Sequence, residues 1–96
     1  MDDKALYQQK QKAQLNEWKA EVDKLKAKAS KASAEAQLEF NKQIKALDGK
    51  LDDGRAKLAE LADASEDAWD SLKGNVDAAW TSLKTGVRDA SAKLSG

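Results

Sequence analysis

The chain has 96 residues and a mass of 10.4 kDa, enough for one small domain, and its 17 basic and 17 acidic side chains cancel. It contains no cysteine, histidine or proline, which excludes disulfides, thiolate metal sites and the commonest general base of enzymes. The balanced charge argues against a general nucleic-acid-binding protein, because such proteins carry a basic surplus.

The sequence also bears on membranes and location. No apolar run approaches the length of about 18 residues that a membrane-spanning helix needs. Met1 to Lys4 lead into a Gln- and Lys-rich stretch that lacks the apolar region of a secretory signal. These features predict a cytoplasmic protein without a membrane span.

The large apolar residues follow each other at spacings of three or four, which predicts α-helix with one narrow apolar stripe. Many recur every eleven residues, as do Trp18, Ala29, Phe40 and Leu51. Eleven residues fill three turns at about 3.67 residues per turn, which favours straight or slightly right-handed coiled-coil packing. Two-residue alternation is absent, so strands are not expected. The predicted fold class is all-α.

In chain order, the first predicted element is a helical arm over about residues 4–47. Two Asp-Gly pairs then lower the helix propensity and predict a turn at about 48–54. A second helical arm follows over about 55–94. Two arms of similar length with a central turn predict an antiparallel αα-hairpin that forms a single domain over 1–96.

The charge pattern agrees with an antiparallel hairpin. Residues 10–31 carry seven lysines against three acidic residues, whereas residues 52–77 carry eight acidic residues against three basic ones. Folding the chain about residue 51 brings parts of these stretches together and sets Trp18 opposite Leu83. Each exposed ion pair would contribute only a few tenths of a kcal/mol.

Two alternatives to this hairpin remain open. One is a continuous helix of about 135 Å that pairs antiparallel with a second copy, because the apolar pattern keeps its phase across 47–62. An open dimer of this kind makes the same contacts as the hairpin. The other is a break at Ser65, a good N-cap residue that Glu66 and Asp67 follow in the next turn.

A seam between only two helices buries too little surface for a lone domain of this size. The sequence therefore predicts a homo-oligomer, either hairpins that form a four-helix bundle or long helices that pair. Another helical protein is a second candidate partner. The apolar seam, which is the predicted helix–helix interface, consists of Trp18, Val22, Leu25, Ala29, Ala36, Phe40, Ile44, Leu47, Leu51, Leu58, Leu61, Trp69, Leu72, Val76, Trp80, Leu83 and Val87.

Two charged clusters are candidate ligand sites. A carboxylate stripe could hold a divalent cation and comprises Glu60, Asp63, Asp67 and Asp70. Metal sites in helix bundles also use histidine, so a solvated face is the favoured interpretation. A basic cluster could contact phosphate or anionic lipid and comprises Lys24, Lys26, Lys28 and Lys31. No aromatic residues suited to base stacking lie around it, so a solvated face is again favoured.

Trp69 and Trp80 occupy equivalent positions in a near-literal repeat, DAWDSLK and DAAWTSLK. They could anchor an amphipathic helix over 66–94 at a membrane surface. Packing in the seam is the favoured interpretation, because both residues lie on the apolar stripe. The segment 66–94 carries five acidic and four basic residues, so it lacks the basic face that draws helices to anionic lipid.

Three segments together resemble the small bacterial coiled-coil proteins of the stress-response type. They are AQLNEWKAEVDKLKAKA at 13–29, AQLEFNKQIKAL within 35–47, and EDAWDSLKGNVDAAWTSLKTGV at 66–87. The most distinctive element is the repeated Ala-Trp followed by Leu-Lys. The resemblance implies a long helical or coiled-coil protein with no catalytic residues to carry over.

The sequence thus predicts a non-enzymatic, self-associating coiled-coil protein with a structural or interaction role, stress-related through the resemblance. No catalytic residue, cofactor or metal ligand is predicted. The alternative is an amphipathic protein that protects against desiccation or binds a lipid surface, because eleven-residue repeats rich in Ala and Lys occur in such proteins. A membrane surface is the less favoured partner, and no nucleic acid is expected.

Overall fold

The computed structural model describes residues 3–95, and within that range the chain forms three α-helices and no strand. Helix α1 spans Asp3–Ala29, α2 spans Ala34–Ala62 and α3 spans Glu66–Ser95. The side chains of residues 94 and 95 are outside the described part. The predicted all-α class is confirmed.

The helices form an up-down-up bundle that measures 50 × 21 × 17 Å. Helices α1 and α2 are antiparallel, since Lys26 near the end of α1 pairs with Asp48 at 3.0 Å and Leu15 lies against Gly54. Helices α2 and α3 are also antiparallel, because Leu47 lies against Gly86, whereas Gly54 further along α2 lies against Trp80 and Leu83 earlier in α3. Helical hairpins therefore occur twice in the chain.

The predicted turn at 48–54 is wrong, because α2 runs through these residues without a break. Leu51 is only 1 % exposed in the middle of the helix. A Cβ atom on residue 54 would lie 3.2 Å from the Trp80 ring and 3.3 Å from Leu15, so glycine there allows close helix packing. The burial of this stretch offsets the cost of about 1 kcal/mol for a glycine inside a helix.

The first turn lies at 30–33, where the sequence has neither glycine nor proline. Ser33 is the N-cap of α2, and its side chain accepts a hydrogen bond from the Ala36 N–H. The Gln37 amide donates to the carbonyls of Ser30 and Ala32 at 3.0 and 2.9 Å. These bonds satisfy backbone groups that the end of a helix leaves unpaired.

The second turn lies at 63–65 and matches the predicted break at Ser65. The Asp63 N–H donates to carbonyls in the last turn of α2. The Ser65 hydroxyl accepts from the Ala68 N–H at 3.3 Å, and Glu66 and Asp67 in the first turn of α3 complement the helix dipole. A single continuous helix is therefore excluded as well.

Candidate functional site

The structure places most of the predicted seam in one core that all three helices share. The buried members are Val22, Leu25, Ala29, Ile44, Leu47, Leu51, Leu61, Val76, Trp80, Leu83 and Val87. The partly buried members that pack against them are Trp18, Phe40, Leu58, Trp69 and Leu72. Ala36 is half-buried and lies outside this cluster. The seam therefore holds the chain's own three helices together.

Sequence reasoning missed four residues in or against this core. Leu15 and Ala90 are 3 % and 4 % exposed, and Tyr7 and Ala79 are partly buried and pack against the cluster. Leu15 lies three residues before Trp18, and Ala90 three residues after Val87. The same helical spacing could have identified both of them. Tyr7 lies eleven residues before Trp18, so the eleven-residue repeat could have identified it, although not its polar and aromatic partners in α3.

Tyr7 joins the start of α1 to the first half of α3. Its hydroxyl donates a 2.6 Å hydrogen bond to Asp77, and its ring meets Trp69 edge-on with 6.0 Å between centroids. The ammonium groups of Lys4 and Lys73 lie 5.1 Å from the Trp69 and Tyr7 rings, within cation–π range. These contacts join α1 to α3, and the two helices run parallel. The predicted hairpin instead pairs the first arm antiparallel with the second.

Burial and the hydrogen bond to the Asp77 carboxylate raise the pKa of the Tyr7 hydroxyl above its ordinary value of 10.0. The folded protein therefore holds the Tyr7 proton at a pH where the unfolded chain releases it. By linkage, the stability from this difference is complete below about pH 10 and is lost as the pH rises above it.

Tyr7→Phe should therefore lower the free energy of unfolding by about 0.5–1.5 kcal/mol at neutral pH, because one hydrogen bond is lost. It should also make stability fall less steeply between about pH 9 and 11. Urea unfolding at several pH values measures both effects, and Asp77→Asn is the matched control that keeps a hydrogen-bond acceptor without its charge. Parallel pH profiles for wild type and Tyr7→Phe would contradict this account.

Trp80 lies at the centre of the core and is 7 % exposed. Its ring meets Trp18 edge-on, with 6.1 Å between centroids and 62° between planes, a favourable aromatic geometry. The Trp80 indole N–H is buried and has no hydrogen-bond partner among the described residues. Trp69, its equivalent in the repeat, is only half-buried. In the folded bundle Trp80 is thus a core residue.

The charged clusters lie on the surface, and the described residues contain no group of His, Cys, Asp or Glu that could hold a metal ion. In the basic cluster, Lys26 pairs with Asp48 and Lys24 lies 4.0 Å from Glu21. No charged side chain of residues 3–93 belongs to the buried core. Exposed pairs of this kind contribute at most about 1 kcal/mol each. The geometry therefore offers no reactive constellation at these clusters.

An open apolar groove of about 630 Å³ lies between the first half of α1 and the second half of α2. Leu15 and Leu58 contribute apolar surface to it, and Lys12 and Arg55 contribute positive charge. Its other lining residues are Ala5, Gln8, Gln9, Asn16, Ala59 and Ala62. Arg55 also pairs with Asp52 at 3.3 Å, so part of this positive charge is neutralised within the chain. The groove is therefore mainly an apolar surface, which suits an apolar side chain.

Two large apolar side chains are exposed elsewhere on the bundle. Leu38 in α2 is 68 % exposed and Leu6 in α1 is 46 % exposed. On the same face of α2, Glu35 lies three residues before Leu38 and Lys42 four residues after it, so one acidic and one basic group flank the leucine. The chain therefore carries an exposed apolar side chain as well as the apolar groove.

No known family, curated protein or solved structure matches this chain. The resemblance to coiled-coil stress-response proteins therefore stays a prediction. Among residues 3–95, no helix has an apolar stretch long enough to cross a bilayer. The cytoplasmic location likewise stays a prediction.

Proposed function

We propose that this protein is a non-enzymatic helical protein that acts by self-association, with two copies lying side by side and antiparallel. The observation that carries the proposal is a separation of charge along the bundle. Residues 3–16 and 51–79 at one end carry nine acidic against six basic side chains, whereas residues 17–50 and 80–93 towards the other end carry seven acidic against eleven basic ones. Antiparallel packing sets each end against its opposite in the second copy.

The exposed area supports the same proposal. The accessible surface is 6,245 Å², against roughly 5,400 Å² for a compact monomer of this mass. The excess follows from the elongated shape of 50 × 21 × 17 Å, whose long sides offer contact area to a second copy. The apolar seam does not favour self-association, because the three-helix core already covers it within one chain. The separated charges and the exposed sides of the bundle favour self-association instead.

Sedimentation equilibrium of the full chain tests this proposal. We expect a mass of two chains at micromolar concentration in low salt, and a shift towards one chain in high salt, because salt screens the attraction between the charged ends. A circular dichroism spectrum at each salt concentration checks that the helices remain folded. A mass of one chain at every concentration and salt level would contradict the proposal.

A further inference from the structure

One exposed face of α2 has the features of a surface that pairs with itself. Leu38, Lys45, Gly49, Asp52 and Ala59 are all exposed. They follow each other at spacings of seven, four, three and seven, which places them on one face of the helix. The closed bundle leaves this face uncovered, because the core-facing residues of α2 lie elsewhere on the helix.

The face is complementary to itself when a second copy lies antiparallel. If the two-fold axis passes between residues 48 and 49, Lys45 lies opposite Asp52 of the second copy, and the symmetry creates this ion pair twice. In the same register Leu38 lies opposite Ala59 of the second copy. A two-fold interface needs this kind of self-complementary pattern.

Ala59 lines the apolar groove between α1 and α2, so this register brings Leu38 of one copy to the groove of the other. Leu15 and Leu58 in that groove offer an apolar surface for the leucine side chain. The charges of the ends favour the same antiparallel orientation.

Gly49 adds an independent observation at the proposed axis. A Cβ atom on residue 49 would meet nothing within 4 Å, so packing within one chain does not require glycine there. A glycine inside a helix costs about 1 kcal/mol relative to alanine. Where two helices cross, the missing side chain lets their backbones approach closely.

We infer that the occupant of the α1–α2 groove is Leu38 of a second copy, in an antiparallel dimer whose two-fold axis lies beside Gly49. This inference rests on the proposed self-association and names its surface and register.

Leu38→Asp tests the leucine contact, and Leu6→Asp is the matched control on another exposed leucine. We expect Leu38→Asp to weaken dimerisation about 100-fold, because each dimer loses two buried leucines and a tenfold change corresponds to 1.4 kcal/mol. Leu6→Asp should dimerise as the wild type does. Sedimentation measures the affinity, and circular dichroism verifies that both variants stay helical.

Cysteine cross-linking tests the register, and the natural chain has no cysteine to interfere. Gly49→Cys should form a disulfide-linked dimer quickly under mild oxidation. Gly74→Cys, an exposed helix position with open space around it, should cross-link slowly. A dimer by mass in which both cysteines link at equal rates, or in which Leu38→Asp has no effect, would overturn this surface and leave self-association standing. A wild-type mass of one chain would overturn both.

Discussion

Leu51→Ala is expected to lower the free energy of unfolding by about 2–5 kcal/mol, the range for large-to-small substitutions in a packed core. Leu51 is 1 % exposed and belongs to the core that all three helices share. Its removal loses apolar burial and leaves a cavity that the helices fill only partly. A domain of this length has a total stability of about 5–14 kcal/mol, so the loss is a large share of the total.

Urea unfolding followed by circular dichroism measures this loss, and Leu6→Ala is the matched control. Leu6 is 46 % exposed, so the same change of side chain should alter stability by less than about 0.5 kcal/mol. The comparison also distinguishes the bundle from a two-arm hairpin, because a hairpin would expose Leu51 in its central turn. Equal, small effects for both variants would contradict the bundle.

The apolar repeat predicts helices correctly but places the turns at the wrong residues, because the true turns are short. The apolar repeat continues with its spacing of eleven from Ala29 to Phe40 and from Leu58 to Trp69. Both intervals contain a turn of the structure. Because the short turns keep the repeat in phase, periodicity alone does not reveal them, and the Asp-Gly pairs predict a turn at the wrong place.

The weak points in helix propensity had another cause. Gly54 lies where Trp80 and Leu15 approach α2 closely, and residue 86 is a glycine where Leu47 approaches α3. A Cβ atom on residue 86 would lie only 2.8 Å from the Leu47 side chain. Low helix propensity predicts a chain reversal, but tertiary packing can select glycine inside a helix. Only Ser65, through its capping chemistry, indicated one true turn.

The candidate docking surface was less accessible to sequence reasoning than the core. The seam could be predicted because burial imposes spacings of three and four along one helix. The α1–α2 groove depends on how two helices pack, and the Tyr7 cluster depends on α1 and α3 running parallel. Neither arrangement follows from a repeat once the turns are misplaced. Leu38 lies off the seam, and only its 68 % exposure identifies it as a candidate contact.

Trp80→Ala is expected to have a still larger effect, a loss of about 3–5 kcal/mol. Trp80 is 7 % exposed, packs against Gly54 and meets the ring of Trp18. Trp69→Ala is the matched control from the equivalent repeat position. It should lose only about 1–2 kcal/mol, because its partly buried ring gives up an edge-on contact with Tyr7 and a cation–π contact with Lys4. Equal losses of stability would mean that Trp69 and Trp80 have similar environments, as their equivalent repeat positions suggest, and would contradict the packing of the bundle.

Trp80→Phe separates the two contributions of this side chain. Phenylalanine keeps most of the aromatic burial and removes the indole N–H, which has no hydrogen-bond partner among the described residues. A buried donor without a partner costs about 1–3 kcal/mol, so its removal offsets part of the lost volume. We therefore expect Trp80→Phe to unfold at a urea concentration near that of the wild type and well above that of Trp80→Ala. If Trp80→Phe is as unstable as Trp80→Ala, aromatic burial alone does not stabilise the core. The indole N–H would then make a stabilising contact.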